Sequence, residues 1–232
     1  MALSDDLMSS SDAARALGVS VRQVRRLVEA GALTEVDRVG GSLLLDTASV
    51  HRLAGRGSQR GRPWSERVAW AAIDILDTGD TDRVNAAQRS RLRARLRAMD
   101  AREFVRFARG RADVRRYRVT EALLERLSRN VTLAGGSAVA ADRAVADAFG
   151  LASTRAGSVD GYVERELVEP YVEEFFLTTD RNGNVTLRAT DSASRDLRIA
   201  TTVTVALDLA DSLSSRERSA GLRMLERKLR AS

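Results

Sequence analysis

Apolar residues recur along this chain in short, helix-spaced groups, many of them bracketed by a capping residue and a glycine. Asp12 to Leu17 is the first, with Ser11 as its cap, Ala13, Ala14 and Leu17 on one face, and Gly18 as its stop. Val21 to Ala30 is the second, capped by Ser20 and ended by Gly31, with Val24, Leu27 and Val28 on the same side as Val19. Two short helices joined by a turn of three or four residues have helix-turn-helix spacing. Glu35–Val39 and Ser42–Leu45 then read as two strands around a Gly40-Gly41 tip. Thr47 caps a last helix, Ala48 to Leu53.

The pattern breaks at GRGSQRGRP, Gly55 to Pro63, which has three glycines and no apolar residue. Such a segment cannot contribute to a core, so residues 1–54 and 64–232 read as two domains with 55–63 as the linker. Beyond it, helices are predicted over Pro63–Asp77, over residues 85–99 with Asn85 as cap, and over residues 101–109 with Asp100 as cap. A fourth covers Val119–Ser128. Leu92, Leu96 and Met99 form the inner stripe of the second, and Phe104, Val105 and Phe107 that of the third. An Ala-rich helix follows Gly135-Gly136.

Val172, Phe175, Phe176 and Leu177 lead to Asp180-Arg-Asn-Gly183, after which Val185 and Leu187 alternate with polar residues. This predicts a β-hairpin on an Asn-Gly turn. A strand around Arg198–Val203 passes into a helix, and a terminal helix opens at a Ser cap. The expected fold is mainly α with small β elements: an N-terminal winged helix-turn-helix, then a larger α+β domain containing a β-hairpin.

Charge sharpens this picture. The chain of 232 residues carries 38 basic and 32 acidic side chains, net +6, and all but one of the basic residues are arginine. The excess is concentrated: residues 83–118 hold thirteen arginines against three acids, while residues 64–82 are net −4. A basic balance permits a polyanionic partner without requiring one. With no Cys, thiolate metal sites, disulfides and Cys nucleophiles are excluded. One histidine, His51, makes a zinc site or a His-based triad a poor fit. No P-loop and no G-x-G-x-x-G is present. Gly135-Gly136-Ser137 resembles the start of a nucleotidyltransferase signature. That chemistry needs paired carboxylates on a strand to hold Mg²⁺, whereas Asp142 and Asp147 are five apart on a predicted helix. The expectation is a non-enzymatic protein with no cofactor and no metal. It has no membrane span and no signal peptide, and is cytoplasmic by default.

The candidate chemistry is therefore recognition. Val21, Arg22, Gln23, Arg25 and Arg26 are left outside the small N-terminal core. The first turn of a second helix is the part that enters a major groove, where Arg bonds guanine edges and Gln adenine edges. Ser20 at the cap, Arg38 beside the wing tip and Gly40 at the tip complete the predicted DNA contacts. Arginines 89, 93 and 97 recur at i, i+4, as do 91 and 95, and offer a second nucleic-acid contact. A solvated surface, or pairing with Asp74, Asp77, Asp80 and Asp82, is the alternative. RNA is a weaker fit, because aromatics for stacking are scarce.

The segments SDAARALGVS, VRQVRRLVEAGAL and RVGGSLLLDTASVHRL, within residues 7–54, resemble the excisionase-like, MerR-related winged helix-turn-helix domain. That resemblance implies DNA contact by Arg22, Gln23, Arg25 and Arg26, with Arg38 at a phosphate. In layout, residues 63–232 look like the actinobacterial transcriptional regulators assigned to AbiEi-type antitoxins of type IV toxin–antitoxin systems. The segments are RPWSERVAWAAIDILDTGD, ADVRRYRV, NGNVTLRAT and ALDLADSLSSRERSAGLRMLERKL. This resemblance implies repression of the protein's own promoter and opposition to a nucleotidyltransferase toxin. One small module binds weakly, so a homodimer or a second DNA contact is expected. A DNA-bending accessory factor and a ligand-responsive one-component regulator are the competing readings.

Overall fold

The computed structural model describes residues 7–17, 19–39, 42–47, 49–50, 53, 63–153, 157–192, 199–212 and 214–232. The chain forms two compact units, Met1–Arg62 and Pro63–Ser232.

In the first unit, strand β1 (Leu7–Ser9) leads into helix α1 (Ser10–Leu17) and then helix α2 (Val21–Glu29). Strands β2 (Glu35–Val39) and β3 (Ser42–Asp46) follow as an antiparallel hairpin, and β1 adds to the far side of β3. Ala13, Ala14, Leu17, Val24, Leu33, Leu43, Leu45 and Val50 make one small core. Ser20 caps α2 by accepting a hydrogen bond from the Gln23 amide, and Gly31 follows the helix with φ +69°.

Two caps differ from expectation. Ser9, not Ser11, accepts from the Asp12 amide at 3.1 Å while its hydroxyl donates to Asp12 Oδ2 at 2.7 Å, so α1 starts earlier. Asp46, not Thr47, accepts from the Ser49 amide at 2.9 Å. Gly18, the Gly40-Gly41 tip, Ala48 and His51 lie outside the described residues, as does most of the predicted 55–63 linker.

The second unit is built on a five-stranded mixed sheet in the order β5-β6-β8-β4-β7. These strands are β4 (Asp113–Arg118), β5 (Thr132–Leu133), β6 (Val159–Glu164), β7 (Thr178–Thr179) and β8 (Val185–Thr190). The central pair, β6 and β8, is parallel; every other pairing is antiparallel. Around the sheet run α3 (Glu66–Thr78), α4 (Ala86–Arg97), α5 (Ala101–Phe107), α6 (Glu121–Ser128), α7 (Gly135–Ala141), α8 (Arg143–Phe149), α9 (Val168–Glu174), α10 (Thr202–Ala210) and α11 (Ser215–Arg230). Asn85 and Asp100 cap α4 and α5 with full capping boxes, and Ser214 caps α11. The class is mainly α with small β elements.

Both faces of the sheet are covered. Val185, Leu187 and Ala189 are buried on one face, where Arg115, opposite Leu187, reaches Glu169 of α9. On the other face Arg188 meets Asp208 of α10, and Thr190 accepts from the Trp70 indole of α3. Helix α10 is buried from Val203 to Ala210, as a helix apolar nearly all round must be. The strand predicted around Arg198–Val203 is present only as a bridge from Ile199 to Leu133; Arg198 lies outside the described residues, and Thr202 already begins the helix.

The predicted β-hairpin on Asn182-Gly183 is not formed. Strands β7 and β8 do not pair; β4 lies between them and bonds to both. The Asx-type turn at Asp180 carries the chain over the end of β4, with the Asn182 amide donating to Asp180 Oδ1 at 2.8 Å. Gly183 serves close approach here, not a positive φ: a Cβ there would lie 1.9 Å from the Tyr117 carbonyl oxygen. Asn184 completes the crossing by bonding both backbone polar groups of Val119 at 2.9 Å. The tertiary pairing overrides a local signal that reads as a two-strand turn.

The apolar run before it also differs. Val172 is in α9, and Phe175 and Phe176 form that helix's Schellman end, the Leu177 amide donating to Val172 O at 2.9 Å. Phe176 holds φ +52° with 79% of its surface exposed. A side chain in this region is disfavoured by about 1 kcal/mol. Phe176→Gly is therefore expected to stabilise the fold by up to about 1 kcal/mol, read as a higher urea midpoint at unchanged m. A lower midpoint would mean that the ring packs more than its exposure indicates.

Candidate nucleic-acid interface

Helix α2 separates its residues by face. Val24 is fully buried, and Val21, Leu27 and Val28 pack partly against the core. Val21 is thus a packing residue and not one of the outward set, because the helix enters the core from its first position. Ser20 is exposed and its hydroxyl is engaged as the cap. Gln23 is half-buried, held by its amide to that cap, and its side-chain head makes no hydrogen bond among the described residues. Arg22, Arg25 and Arg26 are exposed, and none has an ion-pair or hydrogen-bond partner among the described residues.

That freedom is selective. In the same unit Arg15 pairs with Asp12 at 2.8 Å and Arg38 with Glu35 at 2.6 Å. Arg38 stands on β2, directly across from Leu43, with a bulge at Val36 twisting the strand. Its hydrogen bond to Glu35 raises its own pKa and lowers that of Glu35. A pair this exposed is weak, so Arg38 can exchange Glu35 for a phosphate. The structure thus brings α2 and the wing into one small unit, while Gly40 falls outside the described residues.

The second predicted contact behaves differently. Asp80 takes Arg89 at 3.1 Å and Arg93 at 3.0 Å, and Arg93 also donates to Gly79 O at 2.6 Å. The Arg95 guanidinium lies 4.2 Å from the Phe107 ring centroid and 5.3 Å from that of Trp64. Arg97 donates to the Ser232 carbonyl at 3.1 Å, and Arg91 folds back onto Ala87 O at 3.3 Å. The stripe of arginines 89–97 is largely engaged in holding α4 to its surroundings, the pairing alternative stated above. Arg83 with Asp74, and Lys228 with Asp77, follow the same logic.

One charged cluster escapes sequence reasoning entirely. Between the sheet and α10, Asp208 Oδ1 accepts from Arg111 at 2.5 Å, from the Tyr162 hydroxyl at 3.0 Å, and meets Arg188 at 3.0 Å. Arg188 also grips Asp160 with two bonds of 2.7 and 2.8 Å, and Arg111 Nε donates to the Tyr162 oxygen at 2.8 Å. Burial is the largest influence on all of them. It pushes the Asp208 carboxyl and the Tyr162 phenol up and works against both guanidinium charges. Tyr162 and the surrounding carboxylates outweigh it at the arginines, which stay firmly protonated. The residues come from four separate elements, so no spacing in the sequence announces them. Every guanidinium in the cluster faces a protein partner.

Gly135-Gly136-Ser137 opens α7, and the Ser137 hydroxyl accepts from the Asp160 amide at 2.8 Å. Among the described residues no group of three or more His, Asp or Glu is placed to hold a metal ion, and no helix is long and apolar enough to cross a membrane. No family model, curated protein or solved structure matches this chain.

Proposed function

We propose that this protein is a transcriptional regulator that binds double-stranded DNA with sequence preference, using α2 as the recognition helix and β2–β3 as the wing. The observation that carries the reading is the unpartnered state of Arg22, Arg25 and Arg26 beside paired arginines of the same unit. A helix face that served only solubility would gain from pairs along it. Here three guanidiniums project from the first two turns of the second helix, where base edges are read. The likeness of residues 63–232 to AbiEi-type antitoxins supports a finer reading: the protein represses its own promoter and opposes a nucleotidyltransferase toxin, by direct contact or otherwise.

The test is a titration of the full chain, at two salt concentrations, against its own promoter and random DNA of equal length. A marked promoter preference is expected. Equal, salt-sensitive binding to both would point to an architectural protein instead. Arg22→Ala and Gln23→Ala are each expected to lower the promoter preference about tenfold with the melting curve unchanged. Preference retained in both variants would remove α2 from the recognition role.

A further inference from the structure

Sorting the arginines of the second unit by partner shows where charge is left over. Arg83, Arg89, Arg93, Arg106, Arg111, and the strand arginines 115, 118 and 188 all meet carboxylates. Exposed arginines with no carboxylate partner among the described residues are scattered at Arg67, Arg91, Arg102, Arg116 and Arg181, but they are grouped on the long terminal helix α11. Arg216, Arg223, Arg227 and Arg230 are exposed, and none meets a carboxylate among the described residues. Among the described residues Arg227 bonds the Ala148 carbonyl, at 3.3 Å, and Met224 Sδ, at 3.5 Å.

Their spacing puts them on one side. Arg216, Arg223 and Arg230 are seven apart, two helical turns each, and Arg227 lies one turn from Arg223. The opposite side of α11 carries Ala220, Gly221, Met224, Leu225 and Leu229 into the core. A groove of ≈490 Å³ runs between α8 and α11, with Arg223, Arg227 and Arg230 along it and Asp147 and Glu226 as its acids.

Two bland explanations fall short. Cations in the last turn favour the helix dipole, which accounts for Arg227 and Arg230. It does not account for Arg223 in mid-helix, and at Arg216, in the first turn, it acts in the wrong direction. Mutual pairing is also absent: Arg223 and Arg227, at i and i+4, repel each other. A row of uncompensated guanidiniums about 21 Å long suits a surface with regularly spaced anions.

We infer that the exposed face of α11 is a second nucleic-acid contact, which grips the phosphates of double-stranded DNA without reading bases. This rests on the DNA-binding reading above and takes the role that sequence reasoning gave to α4. Guanidinium forks suit phosphate oxygens, and α11 has no aromatic residue on which single-stranded bases could stack.

The experiment measures the salt dependence of full-chain binding to a random-sequence duplex. Three variants are compared with wild type: Arg216→Gln/Arg223→Gln/Arg230→Gln on α11; Arg22→Gln/Arg25→Gln/Arg26→Gln on α2; and a control, Arg67→Gln/Arg116→Gln/Arg181→Gln. The control removes the same charge from exposed, unpaired arginines elsewhere in the second unit. Each lost phosphate contact lowers the slope of log K against log salt by about 0.9. The α11 triple is expected to lower it by about 2 to 3, and the control by less than one contact's worth. Equal loss in the α11 and control triples, or an unchanged slope in the α11 triple, overturns the inference and leaves that face to an acidic protein partner or to solvent. An unchanged slope in the α2 triple alone would defeat the recognition-helix reading and spare α11. Absence of duplex binding by wild type at low salt defeats both.

Discussion

Arg188→Ala is expected to cost about 3–5 kcal/mol of folding stability, the usual result of removing one partner from a buried ion pair. The side chain is nearly enclosed, and it bridges Asp160 and the fully buried Asp208. Without it, Asp208 keeps Arg111 and Tyr162, but Asp160 loses both of its guanidinium bonds. Asp208 Oδ2 already lacks a hydrogen-bond partner, so the cluster has little capacity to absorb a second loss. Urea unfolding at unchanged m measures the effect. A loss under about 1 kcal/mol would mean that water enters to solvate the carboxylates. The contrasting variant is Arg93→Ala, whose pairing with exposed Asp80 is screened by solvent; its midpoint should barely move.

A buried cluster of this kind is weak evidence for stability in itself, because desolvation offsets most of the attraction. Its structural effect is registration. Arg188 on β8, Tyr162 on β6, Arg111 after α5 and Asp208 on α10 meet only when sheet and helices are correctly placed. A double-mutant cycle on Arg188→Leu and Asp208→Leu tests this. The double variant is expected to cost less than the sum of the two single losses, since the Arg188–Asp208 contact is then removed once, although Asp160 loses Arg188 and Arg111 loses Asp208.

Gly221→Ala is the second large effect. By helix propensity alone it should stabilise α11 by about 1 kcal/mol. Tertiary packing predicts the opposite sign. A Cβ at Gly221 would lie 2.4 Å from the Ala206 carbonyl oxygen and 2.6 Å from the Ala210 amide nitrogen. Those atoms belong to the backbone of α10, which cannot rotate aside as a side chain can. The helices must separate, and the neighbouring Leu207, Leu209 and Leu225, all fully buried, must separate with them. The expected loss is about 1–3 kcal/mol or more, and larger for Gly221→Val. A rise in the melting midpoint would show that α11 can shift outward at no cost.

These two effects mark how far the sequence can be read. The N-terminal unit was largely legible, because its signals act over a few residues. Ser20, Gly31 and the alternation across β2 and β3 each fix their own turn of chain, and Val24 is buried as its spacing requires. The caps of α4, α5 and α11 were legible for the same reason. Strand β4 was not: DVRRYR holds three arginines in six residues and shows no apolar alternation beyond Val114 and Tyr117. It becomes a strand because β7 and β8 close on either side of it. The hairpin expectation failed through the same event, since the Asn-Gly signal is local and the insertion of β4 between its two arms is not.

Charge divides in the same way. Composition shows an arginine excess between residues 83 and 118, and that stretch looked like the binding surface. The folded chain brings Asp80 to Arg89 and Arg93, and aromatic rings to Arg95, so the excess there is largely used within the protein. Arginines without a carboxylate partner among the described residues are instead grouped on α2 and on α11, outside that stretch. Whether a guanidinium is free depends on which carboxylates the fold delivers to it, some of them nearly a hundred residues away, as with Arg111 and Asp208. The sequence by itself therefore determined where α2, α4, α5 and α11 begin, where the two units divide and most of the apolar face of each N-terminal helix, because caps and periodicity act within a few residues. Only the tertiary structure decided the strand order, the buried charge cluster and which arginines remain to meet a partner, because those depend on contacts between residues that are distant in the chain.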